Sequence, residues 1–166
     1  MVDHVELTRR AAVAREITDA VLAPEADTAA IDRLLVAARE RTGSASAHLT
    51  LLVDRAVTGG VQGAFADQIQ CGNETAYEDS FCANVLRLDA PLVISDAATD
   101  DRVATVPAVT DGMVGSYAGA PIRLPDVGIV AVLCVFDDHA REWSATEVAD
   151  LTGLATEMAD ELQHYR

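Results

Sequence analysis

The order of polar and apolar positions divides the chain into helices at both ends and strands between them. The opening stretch, from about Asp3 to Leu22, is predicted to be a helix that Pro24 ends, since proline cannot continue one. Asp27 or Thr28 suits the cap of a second helix, whose Ile31, Leu34, Leu35 and Ala38 share a face, and Gly43 suits its stop. Residues Ala47 to Asp54 form an apolar strand. Thr58-Gly59-Gly60 reads as a turn and Gln62 to Gln70 as the partner strand, giving an antiparallel hairpin.

Downstream, Tyr77 to Leu88 is helical in pattern, with Phe81, Val85 and Leu88 on one side. Pro91 to Ile94 is a short strand, Asp100 to Ala104 a single helical turn limited by Pro107, and Ser116 to Leu124 the next strand. Pro125-Asp126-Val127-Gly128 is a turn. The run Gly128 to Phe136 is almost unbroken apolar, which places it centrally in a sheet, with both faces buried and helices over at least one. Ser144-Ala145-Thr146-Glu147 is a capping box, with Trp143 and Val148 at the positions of a hydrophobic staple. Behind it, Val148, Leu151, Ala155, Met158, Leu162 and Tyr165 form a heptad-like stripe, suited to a dimer interface or to packing within the chain. The class is α+β, in one domain over residues 1–166: helices in 1–43, sheet and pocket in 44–143, and a last helix in 144–166.

Composition narrows the function. The 166 residues suffice for one buried core, and with 4% aromatic residues that core is aliphatic. A net charge of −15 disfavours phosphate backbones and anionic lipid surfaces, so neither nucleic acid nor membrane is an expected partner. No segment reaches the roughly 18 apolar residues of a membrane span, the N-terminus does not read as a signal peptide, and three cysteines without metal spacing suit a reducing cytoplasm.

The segments Ser80-Phe81-Cys82-Ala83-Asn84-Val85, Pro91 to Ala97, Asp101-Arg102, Pro107-Ala108-Val109 and Tyr117 to Ile122, then Leu133 to Asp137 and Arg141 to Ser144, resemble a GAF domain in order and spacing. The resemblance is strongest to GAF domains beside bacterial kinase, phosphatase and diguanylate cyclase domains. It implies a six-stranded antiparallel sheet, terminal helices on one face, and short helices and loops around a small-ligand pocket on the other. The function it implies is a non-catalytic sensor, binding a small molecule or responding to redox state, and transmitting through a terminal-helix homodimer or to a signalling-protein partner. It leaves cofactor and ligand unnamed. A ligand-free interaction module is a further alternative.

By this resemblance Phe81, Cys82, Asp96, Tyr117 and Arg123 are the candidate ligand contacts, with residues from Thr105 to Gly115 as a lid. Tyr117 and Phe81 serve equally as core filler, and Arg123 and Arg102 are the cations nearest to hand for an anionic ligand. Cys82 reads as a ligand contact or redox thiol, or as a small buried hydrophobe; Cys134 reads as core and Cys71 as an exposed, accessible thiol. Cys71 and Cys82, eleven apart, also resemble two cysteines of the free methionine-(R)-sulfoxide reductases, but residues Val103 to Tyr117 lack the third. All four histidines fall outside Ser80 to Pro121, which disfavours haem or bilin, and His48 reads as structural. Asp96, Asp100, Asp101 and Asp137-Asp138 suit turns, caps and strand ends better than a metal, with Asp101-Arg102 as a local ion pair. The sequence shows no glycine-rich phosphate loop, serine elbow or His-Glu metal motif.

Overall fold

The computed structural model describes residues 4–66 and 69–166. Two helices, α1 (His4–Leu22) and α2 (Ala29–Thr42), precede a hairpin of β1 (Ser46–Leu52) and β2 (Ala56–Gly63). A two-residue strand β3 (Glu74–Thr75), helix α3 (Phe81–Leu88), strand β4 (Leu92–Ile94) and the single turn α4 (Pro107–Thr110) follow. Strands β5 (Ser116–Leu124) and β6 (Gly128–Asp137) lead into α5 (Ala145–Leu162). All the pairings are antiparallel, in the order β3-β2-β1-β6-β5-β4. The α+β class, the six strands and the central place of the apolar strand β6 are as expected.

Alternation along the strands makes two cores. Leu49 and Leu51 of β1, Leu133 and Val135 of β6, and Ala118, Ala120 and Ile122 of β5 face α1, α2 and α5. Leu52, Val132, Cys134, Phe136 and Tyr117 face α3, α4 and their loops. The stripe on α5 belongs to the first core: Leu151, Ala155, Met158 and Leu162 are buried, with Leu154 and Ala159 beside them. The capping box is formed, Glu147 N donating to Ser144 Oγ at 3.1 Å and Ser144 N to Glu147 Oε1 at 2.8 Å. Next to it Arg141 binds Asp137 (3.2 Å), Glu147 (2.5 Å) and Thr42 O (2.9 Å) and lies 4.0 Å over the Trp143 ring. Trp143 Nε1 donates to Ile94 O at 3.1 Å, so this one cluster joins α2, β4, β6 and α5.

The hairpin differs from expectation. Its turn is at residues 53–55, and Thr58-Gly59-Gly60 lies inside β2. Gly59 is the extra residue of a bulge: Leu49 pairs with Gly60 and Thr50 with Thr58. A Cβ on Gly60 would come 2.8 Å from Leu35 Cδ1 and 3.2 Å from Ile31 Cγ2, so the glycine lets α2 close onto the sheet. The partner strand is therefore Ala56–Gly63 rather than Gln62 to Gln70, within which Asp67 and Gln68 lie outside the described residues; so does Asp3, the expected first residue of α1. The helix expected from Tyr77 is split. Tyr77–Asp79 is a 3₁₀ turn, and Ser80 caps α3 by accepting from Cys82 N at 3.2 Å. Pro107, expected to stop a helical turn, instead stands at the start of α4. Arg102 pairs with Asp100 at 2.6 Å rather than with Asp101.

Because Gly60 sits under α2, Gly60→Val is expected to lower the unfolding free energy by about 1–3 kcal/mol through overpacking. Urea denaturation monitored by circular dichroism checks this, and an unchanged midpoint would show that α2 can shift aside.

Candidate functional site

On the face of the sheet away from α1, α2 and α5 lies a cavity of about 610 Å³. The register of three strands builds its floor. His48 of β1 pairs with Cys134 of β6, which pairs with Gly119 of β5; in the adjoining row Phe136 pairs with Tyr117. Gly119 is open for a reason: a Cβ there would come within 2.8 Å of Cζ of Tyr117, so only glycine leaves room for that ring. The ring stacks on Phe81 of α3 (centroids 4.7 Å apart, planes at 26°), and its hydroxyl lies 3.2 Å from Cys82 Sγ. Phe81, Cys82 and Tyr117, proposed from sequence, thus meet at one wall. Pro107, Ala108, Asp111, Met113 and Val114, from the segment expected to be a lid, line the opposite side.

Asp96 and Arg123 are not among the lining residues. Asp96 is exposed before the 3₁₀ turn Ala97–Thr99, and Arg123 pairs with Asp89 at 2.5 Å beside α5. Cys71 is likewise not a lining residue, though Ile69 and Asn73 on either side of it are; it is exposed in the loop between β2 and β3. Partial burial and the charge of Asp32 raise its pKa, which lowers its thiolate fraction. Asp137 is buried in its ion pair with Arg141 and accepts from Ala45 N at 2.7 Å. Among the described residues no group of three or more His, Cys, Asp or Glu side chains could hold a metal.

The two buried thiols behave differently. Hydrogen bonding to Cys134, with smaller contributions from Thr50, Tyr117 and Ser80, holds the Cys82 thiol below its usual range against the opposing effect of burial. Hydrogen bonding to Cys82, and then burial, pushes Cys134 well up. Burial also raises Tyr117. Of the pair, Cys82 is the thiol that ionises first.

His48, read from the sequence as a structural histidine, lines the cavity. It is 6% exposed, its ring meets Phe136 edge-on at 4.8 Å, and its Nε2 has no hydrogen-bond partner among the described residues. Burial lowers its pKa from 6.5 to about 4, so it is neutral at pH 7. A signal was present: Ser46, His48 and Thr50 alternate along a strand that is otherwise apolar, and all three are buried.

A family model for the GAF domain matches residues 15–162. The chain belongs to the GAF domain family. No curated protein sequence matches it. Solved structures similar to this GAF domain include the GAF domain of a phosphoenolpyruvate-protein phosphotransferase from Coxiella burnetii, at 18% identity, covering 95% of each chain, with a TM-score of 0.70. Another is a type II free methionine-R-sulfoxide reductase from Thermoplasma acidophilum, at 14% identity, covering 82% of this chain and 92% of that one, TM-score 0.66. A third is the PixJ GAF domain of Thermosynechococcus elongatus in its blue-light absorbing form, at 12% identity, covering 99% and 90%, TM-score 0.65. At these identities the likeness is one of fold. GAF domains serve as regulatory sensing modules, and reductases on the same fold show that it also supports catalysis. Among the described residues no helix is long and apolar enough to cross a membrane.

The neutral His48 makes stability depend on pH. Its folded pKa lies below its unfolded one, so between about 4 and 6.5 the unfolded chain binds more protons, and stability falls as pH drops through that window. From pH 7.5 to pH 5 the loss is about 2 kcal/mol. The other three histidines are exposed, so His48→Gln is expected to remove most of this slope in urea denaturation curves taken at both pH values.

Proposed function

We propose that this GAF domain is a non-catalytic sensor that binds a small organic molecule in the cavity and reports its occupancy through α1. The observation that carries this reading is the cavity itself, about 610 Å³ over a floor that contains a buried histidine nitrogen without a partner. That volume falls in the range of sites for small organic ligands. An unpaired buried polar atom costs stability that a ligand hydrogen bond would restore.

A physical route leads from the cavity to α1. Arg10 of α1 is buried, and its guanidinium donates to Leu52 O (2.7 Å), Ile129 O (3.2 Å) and Val53 O (3.3 Å) at the ends of β1 and β6. Tyr77 Oη donates to the same Val53 carbonyl. Tyr77 opens the turn that runs into Asp79, Ser80, Phe81 and Cys82, all cavity-lining residues. Movement of that wall is thereby felt at α1 through one shared acceptor. A homodimer or a signalling-protein partner would receive it there, because α5 packs its apolar stripe inside the domain while α1 exposes Val5 and Leu7 in its first turns.

The reductase reading draws on Cys82 and Cys134, which share a cavity in a fold that free methionine-R-sulfoxide reductases also adopt. Against it, Cys71 is exposed and is not among the cavity-lining residues, whereas Cys82 is buried in the cavity wall. Incubation with free methionine-(R)-sulfoxide and a thiol reductant is expected to give no turnover; turnover lost on Cys82→Ser would establish the enzyme instead.

For the sensor, mass spectrometry of the denatured protein and thermal-shift screening against nucleotides, amino acids and their oxides are the direct tests. A ligand present at 100 times its Kd stabilises by about 2.7 kcal/mol, a rise in Tm of roughly 5–10 °C in a domain of this size. Ala108→Trp, which fills the cavity from α4, is expected to abolish that rise. A pocket that binds nothing would leave the domain a ligand-free interaction module.

A further inference from the structure

The charges around the cavity are one-sided. Glu74, Asp79 and Asp111 line it, and among the described residues Arg55 is the one lining cation. Arg55 and Glu74 are 3.9 Å apart and offset one another. Asp79 and Asp111 are exposed, and neither has an ion pair among the described residues. The chain contains no lysine; its positive side chains are twelve arginines. Arg9, Arg15, Arg102, Arg123, Arg141 and Arg166 are paired with acids away from the cavity, and Arg10 is sealed against backbone carbonyls.

The floor adds no positive charge. His48 is buried without a partner at Nε2, and Thr50, Cys82, Tyr117 and Cys134 are polar but uncharged residues. The apolar lining is aromatic and soft: Phe81, Tyr117, Phe136 and Met113. With Ile69, Pro107 and Val114 they favour a ligand that buries an apolar body, and an aromatic ring that turns a face to an organic cation adds attraction through its quadrupole. A phosphate or carboxylate would lose its hydration there and face two unpaired aspartates in return.

We infer that the cavity takes an organic cation, an amine with an aromatic or apolar body, whose polar end meets Asp79 and Asp111 and whose body lies over the aromatic floor beside His48. This rests on the reading of the cavity as a small-molecule site; Arg102 and Arg123, the nearest candidates in the sequence to meet an anionic ligand, are not among the lining residues.

Three probes of one size and three charges test it: phenethylamine, 2-phenylethanol and phenylacetate, titrated against the intact protein by ligand-observed NMR at low salt. The amine is expected to bind at least tenfold more tightly than phenylacetate, with the alcohol between them. Asp79→Asn combined with Asp111→Asn is expected to bring amine and alcohol to within about twofold. A control with the same charge change on the helix-covered side, Asp19→Asn with Glu157→Gln, is expected to keep the preference, which separates the cavity from general attraction to a chain of net charge −15. If phenylacetate binds as well as the amine, or the aspartate pair makes no difference, the inference is overturned while the cavity remains a ligand site. If none of the three binds, the small-molecule reading falls, and this inference with it.

Discussion

Burial of β6 on both faces is the constraint from which the rest of the architecture follows. Its residues from Ile129 to Asp137 are all buried, and it is paired along its length with β5 and for six residues with β1. A strand in that position has no solvent side, so each face must be covered by something else. On one face α1, α2 and α5 do this with aliphatic side chains. The other has only short elements, α3, α4 and loops, and short elements leave space. The cavity is a consequence of asymmetric cover on a strand that needs cover twice.

What occupies that space is polar in a narrow band. The row His48–Cys134–Gly119 crosses three strands, and the missing side chain at Gly119 lets Tyr117 fold over β5 towards Cys82. The resulting group carries hydroxyl, thiol and imidazole functions, and burial favours the neutral state of both His48 and Tyr117. Formal charge is kept at the rim, where Glu74, Asp79 and Asp111 outnumber Arg55 among the lining residues.

Much of the fold was legible because it is written in local rules. The capping box at Ser144 to Glu147, the unbroken apolar run of β6 and the stop at Gly43 each depend on a few neighbouring residues, and each is found. The hairpin misled for an equally physical reason. Gly59 and Gly60 have the composition of a turn, yet they lie in a strand, where a side chain on Gly60 would fill the space of Leu35 and Ile31, more than twenty residues away, and one on Gly59 that of Leu51. Tyr77 to Leu88 has a helical pattern throughout, but Ser80 caps in the middle of it and divides it in two. The stripe on α5 fitted two uses equally, and only the sheet beneath it shows that the inner one is taken.

The candidate site was half visible. Phe81, Cys82 and Tyr117 lie in segments that identify the family, whereas Asp96, in such a segment, and Arg123, just after one, are not among the cavity-lining residues. His48 reads as structural from the sequence because a lone histidine in a strand says nothing about what stands across from it. The sequence by itself determined the family, the two-sided central strand and the helices at either end, since periodicity and capping are properties of neighbouring residues. Register decided the rest. Only when β1, β6 and β5 are aligned do His48, Cys134 and the gap at Gly119 fall into one row, and only in three dimensions do Arg102 and Arg123 turn out to be paired with acids away from the cavity.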